Sequence, residues 1–355
     1  MGHQYKAIQW NKNKIAYDIY IVFAVALFIG VFMAVGLQTH PTGHTADPVV
    51  LAIRALGVTA FTMLTVILAI GPLARISPRF TPMLYNRRHL GVMTFTIAAA
   101  HFGLALVWYH SSGPLNPLVS LFASNPLYDS IPGFPFETLG FAAFLVLFVM
   151  AATSHDFWLN NLSARVWKAM HMLVYPAYVL LVFHIVLGAL MTEKSVVYPV
   201  VTAITFLSVS ALHLCTGFHE WRADSGMKSL KTKGWIEIGA PDDIPNLRAI
   251  IAPLPKGDRV AVFRYDNKVS AVTNACRHQN GPLGEGRVVD GCITCPWHGW
   301  QYWPEDGVSP PPFTEKIATY NVKIEAGRVF VDPKPNPPGT RTEPAVIGEQ
   351  GPIAT

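Results

Sequence analysis

The chain has 355 residues, 51% of them hydrophobic and 14% charged, with a formal net charge of +5 and a mean hydropathy of +0.32. Soluble domains carry about 25% charged residues, so the composition excludes an ordinary soluble protein. The basic excess lies in loops between apolar runs, which argues against a nucleic-acid partner, and four cysteines form no disulfide framework.

In chain order, residues 1–15 form a short N-terminal segment, and six apolar runs follow at 16–38, 48–72, 89–110, 137–154, 167–191 and 196–217. Each approaches or exceeds the ~20 residues a helix needs to cross a bilayer. The first is too long for a signal-peptide core and no small-residue cleavage site follows it, so it reads as a membrane anchor. Lys6, Lys12 and Lys14 precede the first run, and Arg75, Arg79, Arg87 and Arg88 lie between the second and third. Arg165 and Lys168 lie between the fourth and fifth, and Arg222, Lys228, Lys231 and Lys233 follow the sixth. The alternate loops, 39–47 and 111–136, have no Lys or Arg, and 192–195 has only Lys194. This alternation predicts six spans with both termini cytoplasmic, in a bacterial inner membrane.

Ionisable side chains are costly in hydrocarbon, so histidines inside these runs point to function. The third run holds His89 and His101, with His110 at its outer end, and the fifth holds His171 and His184. Both runs cross in the same direction, so His101 and His184 share one depth, and His89 and His171 another nearer the cytoplasm. Paired imidazoles on facing helices suit bis-histidine b-type haem, one or two. His89 and His101 are about 120° out of phase on one helix, whereas Pro176 can reset the face between His171 and His184. Interhelical hydrogen bonding is the competing role. Arg54 in the second run, with Arg87 and Arg88, is a candidate for haem propionate contact or helix packing.

Ile70-Gly71-Pro72-Leu73-Ala74-Arg75, Arg87-Arg88-His89-Leu90-Gly91 followed by His101, and Trp167-Lys168-Ala169-Met170-His171-Met172-Leu173-Val174-Tyr175 followed by His184 resemble the ferric reductase-like transmembrane family. Within it the likeness runs to haem-binding membrane subunits of periplasmic methionine sulfoxide reductase systems. The resemblance implies haem ligation by His101, His171 and His184 and does not extend to His89.

After a linker at 218–232, the character changes. Trp235–Ile238, Ala249–Ile251, Val260–Phe263 and Val269–Val272 read as short strands, the last two joined by a turn at 265–268. Within this β region, Cys276-Arg277-His278 and Cys295-Pro296-Trp297-His298 each offer one thiolate and one imidazole. Structural zinc also takes two Cys and two His, but usually with ligands grouped by element. A Rieske [2Fe–2S] cluster, with two Cys on one iron and two His on the other, suits the alternation better. Cys292 reads as a small strand residue facing the core and Cys215 as packing at the end of an apolar run.

The two loops, Asn274–Leu283 and Cys295–Trp300, resemble those of Rieske ferredoxins and dioxygenases over about residues 233–333. Against high-potential Rieske proteins, Gly281 and Trp297 stand where an extra disulfide would be, and Trp300 where a serine would be. With fewer hydrogen bonds to sulfur, the expected potential is around −150 mV. Residues 334–355, rich in Pro, Gly and Glu, read as a disordered tail.

The expected architecture is thus an α-helical bundle of six transmembrane helices followed by a small all-β Rieske [2Fe–2S] domain. Together these imply an electron-transfer oxidoreductase. A cytoplasmic reductase or ferredoxin would be the donor. A periplasmic protein, metal ion, oxygen or quinone would be the acceptor. Alternatives are a quinone-linked cytochrome b/Rieske oxidoreductase and a redox-sensing membrane protein.

Overall fold

The computed structural model describes residues 12–38, 47–80, 83–84, 86–155, 158, 161–162, 164–192, 196–228, 231–232, 234–254, 258–278, 280–297 and 299–348. The chain divides into two compact units, one comprising 10–74 and 86–213, the other 1–9, 75–85 and 214–355.

The first unit is helical. Its elements are α1 (Lys12–Gln38), α2 (Pro48–Ile76), α3 (Arg87–His110), α4 (Pro117–Ala123), α5 (Phe136–Ala152), α6 (Ala164–His171), α7 (Val174–Leu187), α8 (Ala189–Thr192) and α9 (Val197–Lys228), with the ends of α2 and α9 continuing into the second unit. Among the described residues, five stretches are long and apolar enough to cross a membrane: Ile15–Gln38, Pro48–Ile76, Arg87–His110, Val166–Met191 and Val197–Arg222. The expected fourth span is the shorter apolar helix α5, of 17 residues, about 25 Å long at 1.5 Å per residue. None of the most apolar window of α1 is buried by protein, which in water would be an untenable apolar surface. The small core joins Leu64 and Leu68 of α2, Leu147 of α5, Val174 and Tyr178 of α7 and Val209 of α9.

The fifth span is not one continuous helix. Pro176 falls at the third residue of α7, where a missing N–H costs no intrahelical bond. The chain therefore ends α6 at His171 and restarts at Val174. At the other end Gly188 closes α7, and a Cβ there would lie 2.5 Å from the Phe136 ring. Phe136 thereby seats against α7.

The second unit carries twelve strands among the described residues, all paired antiparallel within three sheets. The first has the order β1 (Lys231–Thr232), β2 (Trp235–Gly239), β11 (Arg328–Val331), β10 (Val322–Glu325). The second runs β12 (Ala345–Val346), β5 (Lys268–Thr273), β4 (Arg259–Tyr265), β3 (Ala249–Pro253), with β9 (Thr319–Tyr320) also on β5. The third is β6 (Arg287–Val289), β7 (Cys292–Thr294), β8 (Gln301–Tyr302). The β4–β5 turn places Asp266 and Asn267 at positive φ, as a two-residue hairpin demands.

Three expectations are corrected here. The segment 218–232 is largely helix rather than linker, because α9 runs on to Lys228. Residues 334–348 are ordered: Ala345 and Val346 pair with Val269 and Lys268, and the Thr342 amide donates to the Glu305 carbonyl at 2.8 Å. Backbone pairing compensates there for a composition poor in large apolar residues. Cys215 is exposed on α9 rather than packed.

Candidate metal centres

In the helical unit, His101 of α3 and His184 of α7 meet with ring centroids 6.3 Å apart and ring planes at 84°. Each imidazole is held the same way. The His101 Nδ1 donates to the Ile53 carbonyl of α2 at 2.9 Å, and the His184 Nδ1 to the Phe136 carbonyl of α5 at 2.9 Å, each across a separation of 48 residues. Those carbonyls lie inside helices, so the rings must approach the helix backbone closely. Glycine permits it: a Cβ at Gly57 would lie 3.0 Å from His101 Cε1, and one at Gly140 2.7 Å from His184 Nδ1. Each glycine stands four residues after the carbonyl its histidine uses.

With both Nδ1 protons committed to carbonyls, both Nε2 atoms carry lone pairs, the tautomer a metal-ligating imidazole needs. Two imidazoles on opposite sides of one metal, at about 2 Å per bond, put their ring centroids roughly 6 Å apart. The observed spacing fits a bis-histidine haem iron. Phe136 packs on His184 at 5.3 Å, and Phe102 stacks on Phe144 and tilts against Phe141, giving the apolar surroundings a macrocycle requires.

In the β unit, Cys276 and Cys295 are buried at 1% and 2% exposure and neither is in a disulfide. The first loop closes on itself, the Asn280 amide donating to the Cys276 carbonyl and the Cys276 amide to the Gly281 carbonyl. In the second, Gly299 donates to the Cys295 carbonyl and Cys295 to that of Trp300. The loops converge at Gly281, where a Cβ would lie 2.9 Å from Cys295 Sγ and 3.1 Å from the Trp297 ring. The two places that correspond to an extra disulfide are therefore adjacent, filled by a hydrogen and an indole. His278 stacks on Trp300 at 4.5 Å, and the Trp300 indole donates to Ser309 Oγ at 3.0 Å. His298, the fourth expected ligand, lies outside the described residues.

Tyr302 was not singled out from the sequence. Its hydroxyl accepts the Arg277 N–H at 3.1 Å and lies 3.5 Å from Cys276 Sγ. With the amide as donor, the phenolic proton is directed to the sulfur. Burial, then the neighbouring Cys276, pushes the Tyr302 hydroxyl well above the usual tyrosine range, so it stays protonated as a donor. Burial also pushes the Cys292 thiol up to about 11, which fits a packed strand residue on β7 rather than a redox partner.

Two family models match the chain: residues 56–182 match the ferric reductase like transmembrane component, and residues 234–321 the Rieske [2Fe-2S] domain. The chain joins these two domains. The haem-binding subunit MsrQ of a protein-methionine-sulfoxide reductase from Xanthomonas campestris pv. campestris (strain B100) is 33% identical over 139 residues, covering 39% of this chain and 58% of that protein. MsrQ from Bordetella pertussis (strain Tohama I) is 34% identical over 143 residues, covering 40% of this chain and 63% of that protein. The match thus spans about six-tenths of the length of these relatives. Among solved structures, the ferredoxin of carbazole 1,9a-dioxygenase from Nocardioides aromaticivorans IC177 is 23% identical and covers 29% of this chain and 100% of that chain, with a TM-score of 0.27.

Within the ferric reductase like domain, His89 and His171 take different neighbours. His89 points its Nδ1 at both carboxylate oxygens of Asp18 on α1, at 2.9 and 3.0 Å. His171 stacks on Trp167 at 3.7 Å, bonds the Trp167 carbonyl, and has Nε2 3.5 Å from Ser154 Oγ. The carboxylate that α1 brings to His89 is a neighbour that sequence spacing does not reveal. Arg54 is exposed on α2, next to the Ile53 that holds His101, while Arg87 and Arg88 are half-buried at the start of α3. His213 of α9 went unconsidered; its Nδ1 bonds the Val209 carbonyl at 3.0 Å and its ring meets Tyr175 edge-on at 5.2 Å. The signal for the paired site was present as Gly57 and Gly140, each the same distance before its histidine.

Proposed function

We propose that this protein is a membrane electron-transfer oxidoreductase. It takes electrons from a cytoplasmic reductase or ferredoxin at the Rieske domain and delivers them, by way of b-type haem, to an acceptor on the outer side of the membrane. The observation that carries this reading is the His101–His184 pair, whose spacing and tautomers suit one iron, in the same chain as two convergent Cys/His loops. The relatives' name as haem-binding subunits supports it. His101 and His184 would hold the haem, and Cys276, His278, Cys295 and His298 the [2Fe–2S] cluster. When bound, these groups supply one-electron chemistry.

The chain's own residues do the positioning. The Ile53 and Phe136 carbonyls fix both imidazole tautomers, Gly57 and Gly140 admit the rings, and the surrounding phenyl groups exclude water. Tyr302 donates to a cluster sulfur. Orientation rests on the Lys and Arg alternation between six spans, with the cytoplasm on the side of both termini and α5 as the short crossing. Among acceptors, a periplasmic protein stands first, since the relatives are named as subunits of a protein-methionine-sulfoxide reductase. One observation favours a quinone-linked second reading: Asp18 sets a carboxylate against the His89 imidazole, at 2.9 and 3.0 Å, within the apolar unit.

A redox titration of the purified holoprotein, followed by visible and EPR spectra, should show a low-spin haem and a Rieske signal. Reduction of the cluster by a ferredoxin or flavoprotein reductase should be followed by haem reduction. A cluster potential well above that of the haem would reverse the direction and put quinol oxidation ahead.

A further inference from the structure

The β unit contains a chain of four alternating charges that the electron-transfer reading does not use. Glu285 Oε1 pairs with Arg75 Nε at 3.1 Å, Arg75 Nη1 with Glu220 Oε1 at 3.1 Å, and Glu220 Oε2 with Arg259 Nη1 at 3.4 Å. All four belong to one compact unit, yet they come from separate elements. Arg75 is in the last turn of α2 and Glu220 lies on α9, while Arg259 opens β4 and Glu285 ends the 3₁₀ turn Leu283–Glu285.

The two ends of this chain grip both flanks of the first cluster loop. Ahead of Cys276, the Asn274 amide donates to the Arg259 carbonyl at 2.9 Å. Behind it, Gly284 donates to the Asn274 side chain at 2.7 Å, and Glu285 follows directly. Glu285 is only a quarter exposed, and burial raises its pKa while Arg75 opposes that shift. A carboxylate at that depth is costly without its cation, so the Arg75 contact is selective rather than a casual surface pair. Arg75 and Glu220, in turn, sit on the two helices that continue into the helical unit as α2 and α9. Of these, α2 carries Ile53 and Gly57, which seat His101.

We propose that Glu285–Arg75–Glu220–Arg259 is an electrostatic latch that holds the first cluster loop on the ends of α2 and α9, making Arg75 and Glu285 positioning residues for electron transfer to the haem. This rests on the electron-transfer reading for its consequence, though not for its geometry.

The test uses full-length holoprotein in native-lipid vesicles with four variants: Glu285→Gln, Glu285→Lys, Arg75→Gln and Arg75→Lys. Two readouts are compared, the rate of haem reduction after the cluster is reduced, and the rate at which chymotrypsin, whose aromatic cleavage sites no variant alters, releases the C-terminal domain. The latch predicts transfer about fivefold slower in Glu285→Gln and Arg75→Gln. Glu285→Lys should be slower still and Arg75→Lys near the parent. Cluster EPR, cluster potential and haem content should not change. Release should be faster in the same order, and rising salt should slow transfer in the parent but hardly in Glu285→Gln. A purely structural role would not produce that salt dependence. Should Glu285→Lys lose its cluster, Arg75→Gln decides, since Arg75 is on α2 and not in the cluster loop or its strands. Parent-like transfer, release and salt response in both neutral variants would overturn the latch. If instead the reduced cluster of the parent fails to reduce haem, the electron-transfer reading falls, and the release rates alone still judge the latch.

Discussion

The two candidate centres solve the same problem, holding metal-ligating side chains still, by opposite means. In the helical unit the candidate ligands are single residues on helices, and rigidity comes from neighbouring backbone: a carbonyl for each Nδ1 and a glycine that lets the ring in. In the β unit the candidate ligands are on loops, and rigidity comes from the loops' own hydrogen bonds and from contact with Trp300 and Tyr302. The first arrangement depends on absent side chains, the second on present ones. Substitutions that add atoms should therefore damage the helical site, and substitutions that remove atoms should damage the β site.

The largest effects test whether the sites are independent. Cys276→Ser or Cys295→Ser should abolish the Rieske EPR signal and leave haem absorbance intact. His101→Ala or His184→Ala should remove the low-spin haem signal and leave the EPR signal intact. Loss of both signals in any one of these variants would mean the units fold together, and the comparison would fail.

Adding a methyl group is the next test. Gly140→Ala puts a carbon 2.7 Å from His184 Nδ1, and Gly57→Ala one 3.0 Å from His101 Cε1. Overpacking of this sort costs about 1–3 kcal/mol, so most haem should be lost from Gly140→Ala and a smaller share from Gly57→Ala. Gly91→Ala, where a Cβ meets nothing within 4 Å, should keep its haem and serves as the control. Equal haem content in all three, measured as pyridine haemochrome per protein, would show that the glycines do not seat the histidines.

How much of this was legible beforehand follows from where the information sits. Apolar runs and the Cys-x-His and Cys-x-x-His loops are local, and they located the helical unit and the β unit. The glycine seats were not found, because a missing side chain gains meaning only when a ring from another helix arrives. Asp18 was passed over for the same reason: nothing in the spacing of His89 says that α1 faces it. The order of residues 334–348 escaped a compositional reading because strand pairing by Ala345–Val346 needs only backbone. The interruption of the fifth span, by contrast, was signalled by Pro176, and only its position, at Met172–Leu173, required the fold.

Removing one oxygen from the β site tests the expected potential. The value of around −150 mV assumed few hydrogen bonds to the cluster sulfurs, but Tyr302 places a hydroxyl 3.5 Å from Cys276 Sγ. A donor to a cluster sulfur stabilises the more negative, reduced state. At about 1 kcal/mol for the bond, Tyr302→Phe should lower the potential by roughly 40 mV. The parent should accordingly sit above the low end of the Rieske range. An unchanged midpoint in an EPR-monitored titration would mean that the hydroxyl serves the Arg277 amide alone.

The smallest effect is expected at His89, and it separates one haem from two. Its Nδ1 is engaged by Asp18, an arrangement that also orients ligating imidazoles, so the hydrogen bond by itself does not decide. The neighbours differ: His89 faces Asp18 of α1, whereas His171 is stacked on Trp167 beside Ser154 after the end of α5. His89→Leu should therefore keep haem content and spectrum at the parent level. Asp18→Asn should do the same, since it changes only the carboxylate that faces His89. A halved haem content in His89→Leu would establish a second haem at the inner position. Loss in His171→Ala but not in His89→Leu would direct the search for its opposite ligand to α9, where His213 lies one turn beyond Val209.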